Sequence, residues 1–90
     1  MKIEYDAAKN QRNIRERGLD FSDVYAFDFD TAIATLDTRL VYGETRIVAL
    51  GYIGDRLHVL CFKPLGKHHI RVISLRKANA RERKKYAKKI

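Results

Sequence analysis

The sequence predicts an α+β fold: helices from the N-terminal part and one basic C-terminal helix packed on an antiparallel β-sheet. Three observations carry that prediction. Apolar residues recur at helix-like intervals up to Phe27, then at intervals of two from Ala32 onward. Glycine-marked turns at Gly43 and Gly54-Asp55 divide the second half into consecutive strand-like runs. From Ala78 the chain turns helical again, and most of its residues there are Lys or Arg.

The elements read in order as β-α-α-β-β-β-β-α. Ile3 and Tyr5 alternate with Lys2 and Glu4, the signature of a short strand. Asp6 is placed to cap a helix from Ala7 to about Arg17, and Gly18 to end it in a left-handed conformation. Ala7, Ala8 and Ile14 give this helix a narrow apolar face that also carries the polar Asn10 and Asn13. Ser22 then caps a short helix whose Phe21, Val24 and Phe27 face the core. Ala32–Leu36 and Thr45–Ile53 are strands. Gly54-Asp55 is a hairpin turn into Leu57–Phe62, Pro64-Leu65-Gly66 breaks the next connection, and His69–Leu75 is the last strand. Three strands joined by short turns form an antiparallel meander. A final helix spans Ala78–Ile90, with Ala78, Tyr86 and Ile90 near one face.

At 90 residues the chain is expected to be a single domain, 1–90, and its 46% hydrophobic content is enough for one core. A domain of this size buries a modest share of its surface, so a partner subunit would stabilise it. The net charge is +8 and the pI about 9.9. Its distribution is uneven: Arg76–Ile90 carries eight basic residues against Glu82 alone, while residues 1–75 carry 11 basic and 10 acidic. Such a block either meets a polyanion or an acidic protein surface, or is a solvated helix face without a partner. Asp20, Asp23, Asp28, Asp30 and Asp37 lie in a stretch with no Lys or Arg from Leu19 to Thr38, a surface expected to repel phosphate. Cys61 is the only cysteine, which excludes an intrachain disulfide, and its apolar surroundings predict a buried thiol. No apolar run approaches the ~20 residues that span a bilayer. Residues 1–13 are too polar for an export signal, so the expected place of the protein is the cytoplasm.

Several chemistries find no support in the motifs. There is no CxxC or HExxH spacing, and the adjacent His68-His69 point apart in an extended chain, so neither metal nor cofactor is expected. Phosphate-binding Gly-rich loops and the GxSxG elbow are missing. What remains is charged residues within strand patterns. Glu44 and Arg46 share one strand face; Ser74 and Arg76 share another, with Arg71 pointing the other way in a regular strand. Each arginine is explained either by an ion pair with an aspartate or by phosphate binding on an open sheet face. RNA cleavage fits this residue set, because the 2′-hydroxyl is the nucleophile. The protein must only move protons and stabilise a dianionic phosphorane.

Order and spacing add a resemblance. Tyr5-Asp6-Ala7-Ala8-Lys9-Asn10-Gln11-Arg12-Asn13, then Gly18 and Phe21, is similar to the N-terminal signature of the BrnT toxins. Gly43-Glu44-Thr45-Arg46 with Gly51 resembles the family's central Glu-x-Arg strand. Arg71-Val72-Ile73-Ser74-Leu75-Arg76-Lys77-Ala78, followed by Arg81-Glu82-Arg83 and Tyr86, resembles its C-terminal block. The resemblance implies a RelE-like fold and a ribonuclease toxin that cleaves RNA without metal and stops translation. It also implies a BrnA-type antitoxin partner in a heteromeric complex, expected to be a heterotetramer, with DNA bound only through the antitoxin and no membrane involved. Glu44, Arg46, Arg76 and Arg17 are the candidate catalytic residues, with Glu44 as base. Lys9, Arg71, Arg81, Arg83, Lys84 and Tyr86 are the candidate RNA-binding residues, Tyr86 by stacking on a splayed base.

One departure stands out: Glu16-Arg17-Gly18 replaces the family's Lys-His-Gly. Arginine does not deprotonate in proteins, so Arg17 can hold phosphate but cannot replace a histidine acid or base. Proton transfer then rests on Glu44, on His58, or on the His68-His69 pair. The alternative function is a non-catalytic RNA-binding or antitoxin-binding module of the same fold.

Overall fold

The computed structural model describes residues 1–89. Five strands, β1 (Lys2–Glu4), β2 (Ile33–Leu36), β3 (Ile47–Ile53), β4 (Arg56–Gly66) and β5 (His69–Lys77), form one sheet in the order β1-β5-β4-β3-β2. β2 to β5 are an antiparallel meander. The sheet is nonetheless mixed, because β1 pairs parallel to β5, Ile3 opposite Ile70. Helix α1 (Ala7–Arg17) and a 3₁₀ helix (Phe21–Ala26) follow β1, and α2 (Ala80–Lys89) follows β5. The Ile90 end expected for the last helix lies outside the described residues.

Asp6 caps α1 by accepting the Lys9 N–H at 2.9 Å, and Gly18 ends it at φ 70°. How α1 is seated differs from the expected apolar face. Ala7 and Ala8 are exposed and Ile14 is half-buried, whereas Asn10 and Asn13 are buried. β1 covers only His69–Arg71 of β5, leaving the rest of that strand's edge in need of partners. Asn13 supplies them. Its Nδ2 donates to the Leu75 carbonyl at 2.9 Å and to the Leu19 carbonyl at 3.0 Å, and its Oδ1 accepts the Leu75 N–H at 3.3 Å. Asn10 holds the next segment, its Oδ1 accepting the Phe21 N–H at 2.8 Å. The cap of the 3₁₀ helix is Asp20, not Ser22: Ser22 donates its N–H to Asp20, and Asp23 returns the bond to the Asp20 N–H.

The main core lies on the α1 side of the sheet, where Phe21, Val24 and Phe27 meet Ala49, Leu60, Phe62, Val72 and Leu75. Gly51 permits this closeness, since a Cβ there would fall 2.5 Å from Phe27 Cζ. On the opposite face α2 covers Leu57 and Val59 through Tyr86, with Ile33, Leu50 and Tyr52 alongside. No helix is long and apolar enough to cross a membrane among the described residues.

Four details, three in strands and one in the last helix, depart from the pattern. β4 runs through Pro64 to Gly66 instead of breaking there; β3 pairs with it only as far as Phe62, so Pro64 sits beside an open edge that tolerates a missing N–H. Glu44 and Arg46 precede β3, which starts at Ile47. The last helix starts at Ala80, because Ala78 is still tied to β4 by its N–H to Leu57 O and Asn79 is the N-cap, exchanging bonds with Glu82. Finally, β5 is not regular. Cys61 is opposite Ser74 while the neighbouring Phe62 is opposite Val72, so Ile73 is an extra, bulged residue.

Candidate nucleic-acid interface

The bulge at Ile73 sets which arginines face which way. Directly opposed residues of paired strands share a sheet face. Arg71 is opposite Lys63, Ser74 opposite Cys61 and Arg76 opposite Val59, and Lys63, Cys61 and Val59 alternate along one side of β4. Arg71 therefore points to the same face as Ser74 and Arg76, contrary to its expected orientation. It is the face on which α2 lies, and α2 leaves the Ser74 end of it open.

Three cavities meet at the bulge. The largest, about 610 Å³, lies between Lys9 and Arg71 and includes Ile73. The second runs along α1 past Lys9, Asn13 and Arg17 to Ile73 and Ser74. Lys9, Asn13 and Arg17 are four residues apart on one helix face. Asn13 is bonded to β5, so Lys9 and Arg17 flank that strand's edge. The third, about 310 Å³, lies on the other side of Ser74, between the β2–β3 loop and α2, and is bordered by Arg39 and Arg76. The structure thus brings Lys9, Arg17, Arg71 and Arg76 of the predicted set around Ile73-Ser74.

Most cations here are held by carboxylates. Arg71 donates twice to Glu4 Oε1, at 2.8 and 3.1 Å, and His69 Nε2 lies 3.2 Å from Glu4 Oε2. These contacts, Arg71's first, hold the Glu4 carboxyl below its ordinary pKa. Arg76 grips Glu82 with both terminal nitrogens, at 2.8 and 2.7 Å. Arg46 Nε binds Glu44 at 3.0 Å and stacks 3.9 Å over the Tyr42 ring, while Lys63 Nζ reaches the other Glu44 oxygen at 3.4 Å. Arg46 and then Lys63 hold the Glu44 carboxyl low, so Glu44 is ionised but a weakened base. By contrast, Lys9 and Arg17 have no carboxylate within ion-pair distance among the described residues, and neither do Arg81, Arg83 and Lys84 along exposed α2.

Tyr86 does not belong to the interface. Its ring is 3% exposed, meets Tyr52 edge-on, and its hydroxyl donates to Thr31 O at 2.8 Å, so it cannot stack on a base. His58 is buried with Nδ1 2.9 Å from Arg56 O, on the sheet face opposite Ser74. Among the described residues no three His, Cys, Asp or Glu side chains converge as a metal site.

Sequence reading missed Asp37 and Arg39. Arg39 forks onto Asp37 with two bonds of 2.8 Å, and the Tyr42 hydroxyl donates to the same carboxylate at 3.0 Å. The Asp37 side chain is only 1% exposed, and the Arg39 guanidinium holds its carboxyl far below the ordinary range. Asp37 therefore neutralises and positions a cation instead of repelling phosphate. The sequence signal was the Asp-x-Arg spacing at the end of the acidic stretch.

Comparison with known proteins gives the class: residues 5–82 match a family model of ribonuclease toxins of type II toxin–antitoxin systems. That model is described as "Ribonuclease toxin, BrnT, of type II toxin-antitoxin system", and the chain belongs to the BrnT family. Among solved structures it is similar to the Brucella abortus ribonuclease toxin BrnT, at 34% identity and a TM-score of 0.66, over 88% of this chain and 97% of that one. No curated protein sequence matches the chain. The family match ends at Glu82, so Arg83 and Lys84 lie beyond it.

Proposed function

We propose that this BrnT-family chain is a metal-independent endoribonuclease of the cytoplasm, one RelE-like domain, that arrests translation and is neutralised by a BrnA-type antitoxin. The observation that carries the reading is the bulge at Ile73, which turns Arg71, Ser74 and Arg76 onto one open face beside the Lys9 and Arg17 groove. A single RNA strand laid along that groove meets cations at successive phosphates. The substrate's 2′-hydroxyl attacks the adjacent 3′-phosphate, and the arginines stabilise the charge that develops on the phosphorane. The P–O5′ bond then breaks, leaving a 2′,3′-cyclic phosphate and a 5′-hydroxyl whose oxygen takes its proton from water. Glu44 accepts the proton, with Arg46 and Lys63 keeping it ionised. Arg81, Arg83 and Lys84 extend the phosphate track along α2. An antitoxin covering this face would block RNA and complete a heterotetramer, with operator DNA held by the antitoxin alone.

A second proton acceptor has its own support: His69 is oriented by Glu4, 3.2 Å away, on the same strand as Arg71. Induced expression in a bacterial host, with growth and total RNA followed, separates the two. Glu44→Gln is expected to abolish growth arrest and RNA decay, and Arg76→Ala to weaken both. Undiminished toxicity of Glu44→Gln together with loss in His69→Asn would transfer the role to His69. Normal growth with folded wild-type protein and intact RNA would refute the nuclease reading. Cleavage by purified protein that stops in EDTA would refute metal independence.

A further inference from the structure

We infer that the cleft between the β2–β3 loop and α2 is a subsite for one unpaired nucleobase of single-stranded RNA, with the Arg39 guanidinium as its stacking platform. The inference rests on the RNA reading above and adds how a base is held. The cleft, about 310 Å³, is at the small end of the roughly 300–1,000 Å³ typical of ligand pockets, which suits one base and not a duplex. Its floor is Val48, Val59 and Cys61. Burial raises the Cys61 thiol's pKa, so this floor stays uncharged and offers nothing to a phosphate. A flat aromatic base fits such a floor, and its polar edge finds the hydroxyls of Thr35, Thr38 and Ser74 in the lining.

Arg39 has the geometry of a platform. An exposed arginine normally samples many rotamers, and this one is 75% exposed. Here the fork on Asp37 binds it edge-on through Nε and Nη2, and Asp37 is itself buried and bonded to Tyr42. The ion pair occupies the edge of the guanidinium and leaves its flat faces for stacking. Ser74 connects the cleft to the phosphate groove, because it lines both. A nucleotide with its base in the cleft has its backbone crossing the bulge toward Arg17 and Lys9.

The test is fluorescence anisotropy with the full chain and labelled pentanucleotides whose 2′-O-methyl groups block cleavage. One strand carries uracil at every position; the other is abasic with the same number of phosphates. The base-bearing strand is expected to bind about tenfold or more tightly than the abasic one, as for stacking of one base. Arg39→Lys, which keeps the charge but removes the plane, is expected to bring the base-bearing strand down to the abasic affinity. Equal wild-type affinity for both strands would overturn the subsite and leave phosphate binding standing. A full base advantage in Arg39→Lys would overturn the role of Arg39. Binding of neither strand would overturn the RNA reading and the subsite with it.

Discussion

Replacing Asn13 by Ala should destabilise the protein far more than a helix-surface change normally does. Asn13 makes three hydrogen bonds from a buried position, two of them to the backbone of Leu75, which is fully buried. Alanine would leave the buried Leu75 N–H and carbonyl and the half-buried Leu19 carbonyl without partners. Each stranded buried group costs about 1–3 kcal/mol, and because the groove along α1 reaches Asn13 the lower part of the summed range applies, about 3–5 kcal/mol. Total stability for a chain of this size is of order 5–13 kcal/mol. With a urea slope of about 1–1.5 kcal/mol/M, the unfolding midpoint should fall by about 2–5 M. Asn13→Asp keeps the acceptor but removes both donors, and should be equally damaging. Ile14→Ala, on the half-buried position, should cost about 1 kcal/mol. Urea titration followed by circular dichroism measures all three. A midpoint shift below about 0.5 M for Asn13→Ala, or a larger shift for Ile14→Ala, would refute the account of how α1 is seated.

Gly51→Ala places a methyl 2.5 Å from Phe27 Cζ and should cost about 1–3 kcal/mol, read as a drop in Tm of several degrees; an unchanged Tm would show that Phe27 moves freely. Tyr86→Phe loses the bond to Thr31 O, so about 1 kcal/mol of stability should go while RNA affinity stays the same; weakened RNA binding by a protein of intact fold would return Tyr86 to the interface. The carboxyls of Glu4, Asp37, Glu44 and Glu82 are all held below their ordinary pKa by arginine partners. A lowered folded pKa stabilises fully above the unfolded value and is lost as pH falls through the folded one. Tm should therefore be level from neutral pH down to about 5 and fall below about 4, and a Tm that rises on acidification over this range would contradict the pairings.

The elements were legible because periodicity and glycine turns are local signals. Phe21, Val24 and Phe27 declared their core face, and Gly54 with φ 63° takes the turn between Ile53 and Arg56. What escaped was non-local. The parallel pairing of β1 depends on residues more than 60 positions away, and Asn10 and Asn13 look like surface polar residues until the edge they bind is known. The candidate site divided the same way. Arg71 and Arg76 could be named from the sequence, but the bulge that makes them share a face is visible only as a slip in register against β4. Tyr86 was misassigned because a basic helix makes an aromatic look like a stacking group, although its eight-residue spacing from Ala78, two helical turns, suits a core contact. Asp37 was misread because its charge was counted without the arginine two residues on.

The parallel pairing of β1 with β5 also bears on when the protein becomes competent. The β3–β4 and β4–β5 hairpins can form as soon as their residues leave the ribosome, since each is closed by a two-residue turn or nearly so. The groove cannot: Lys2 must find His69 and Asn13 must find Leu75, contacts that close loops of more than 60 residues. At about 5–20 residues per second of synthesis, the N-terminal segment waits several seconds for its strand. During that interval Lys9 and Arg17 have no β5 edge to flank. The groove is thus a late product of synthesis: its α1 wall is made first, and it has no second wall until β5 has been delivered.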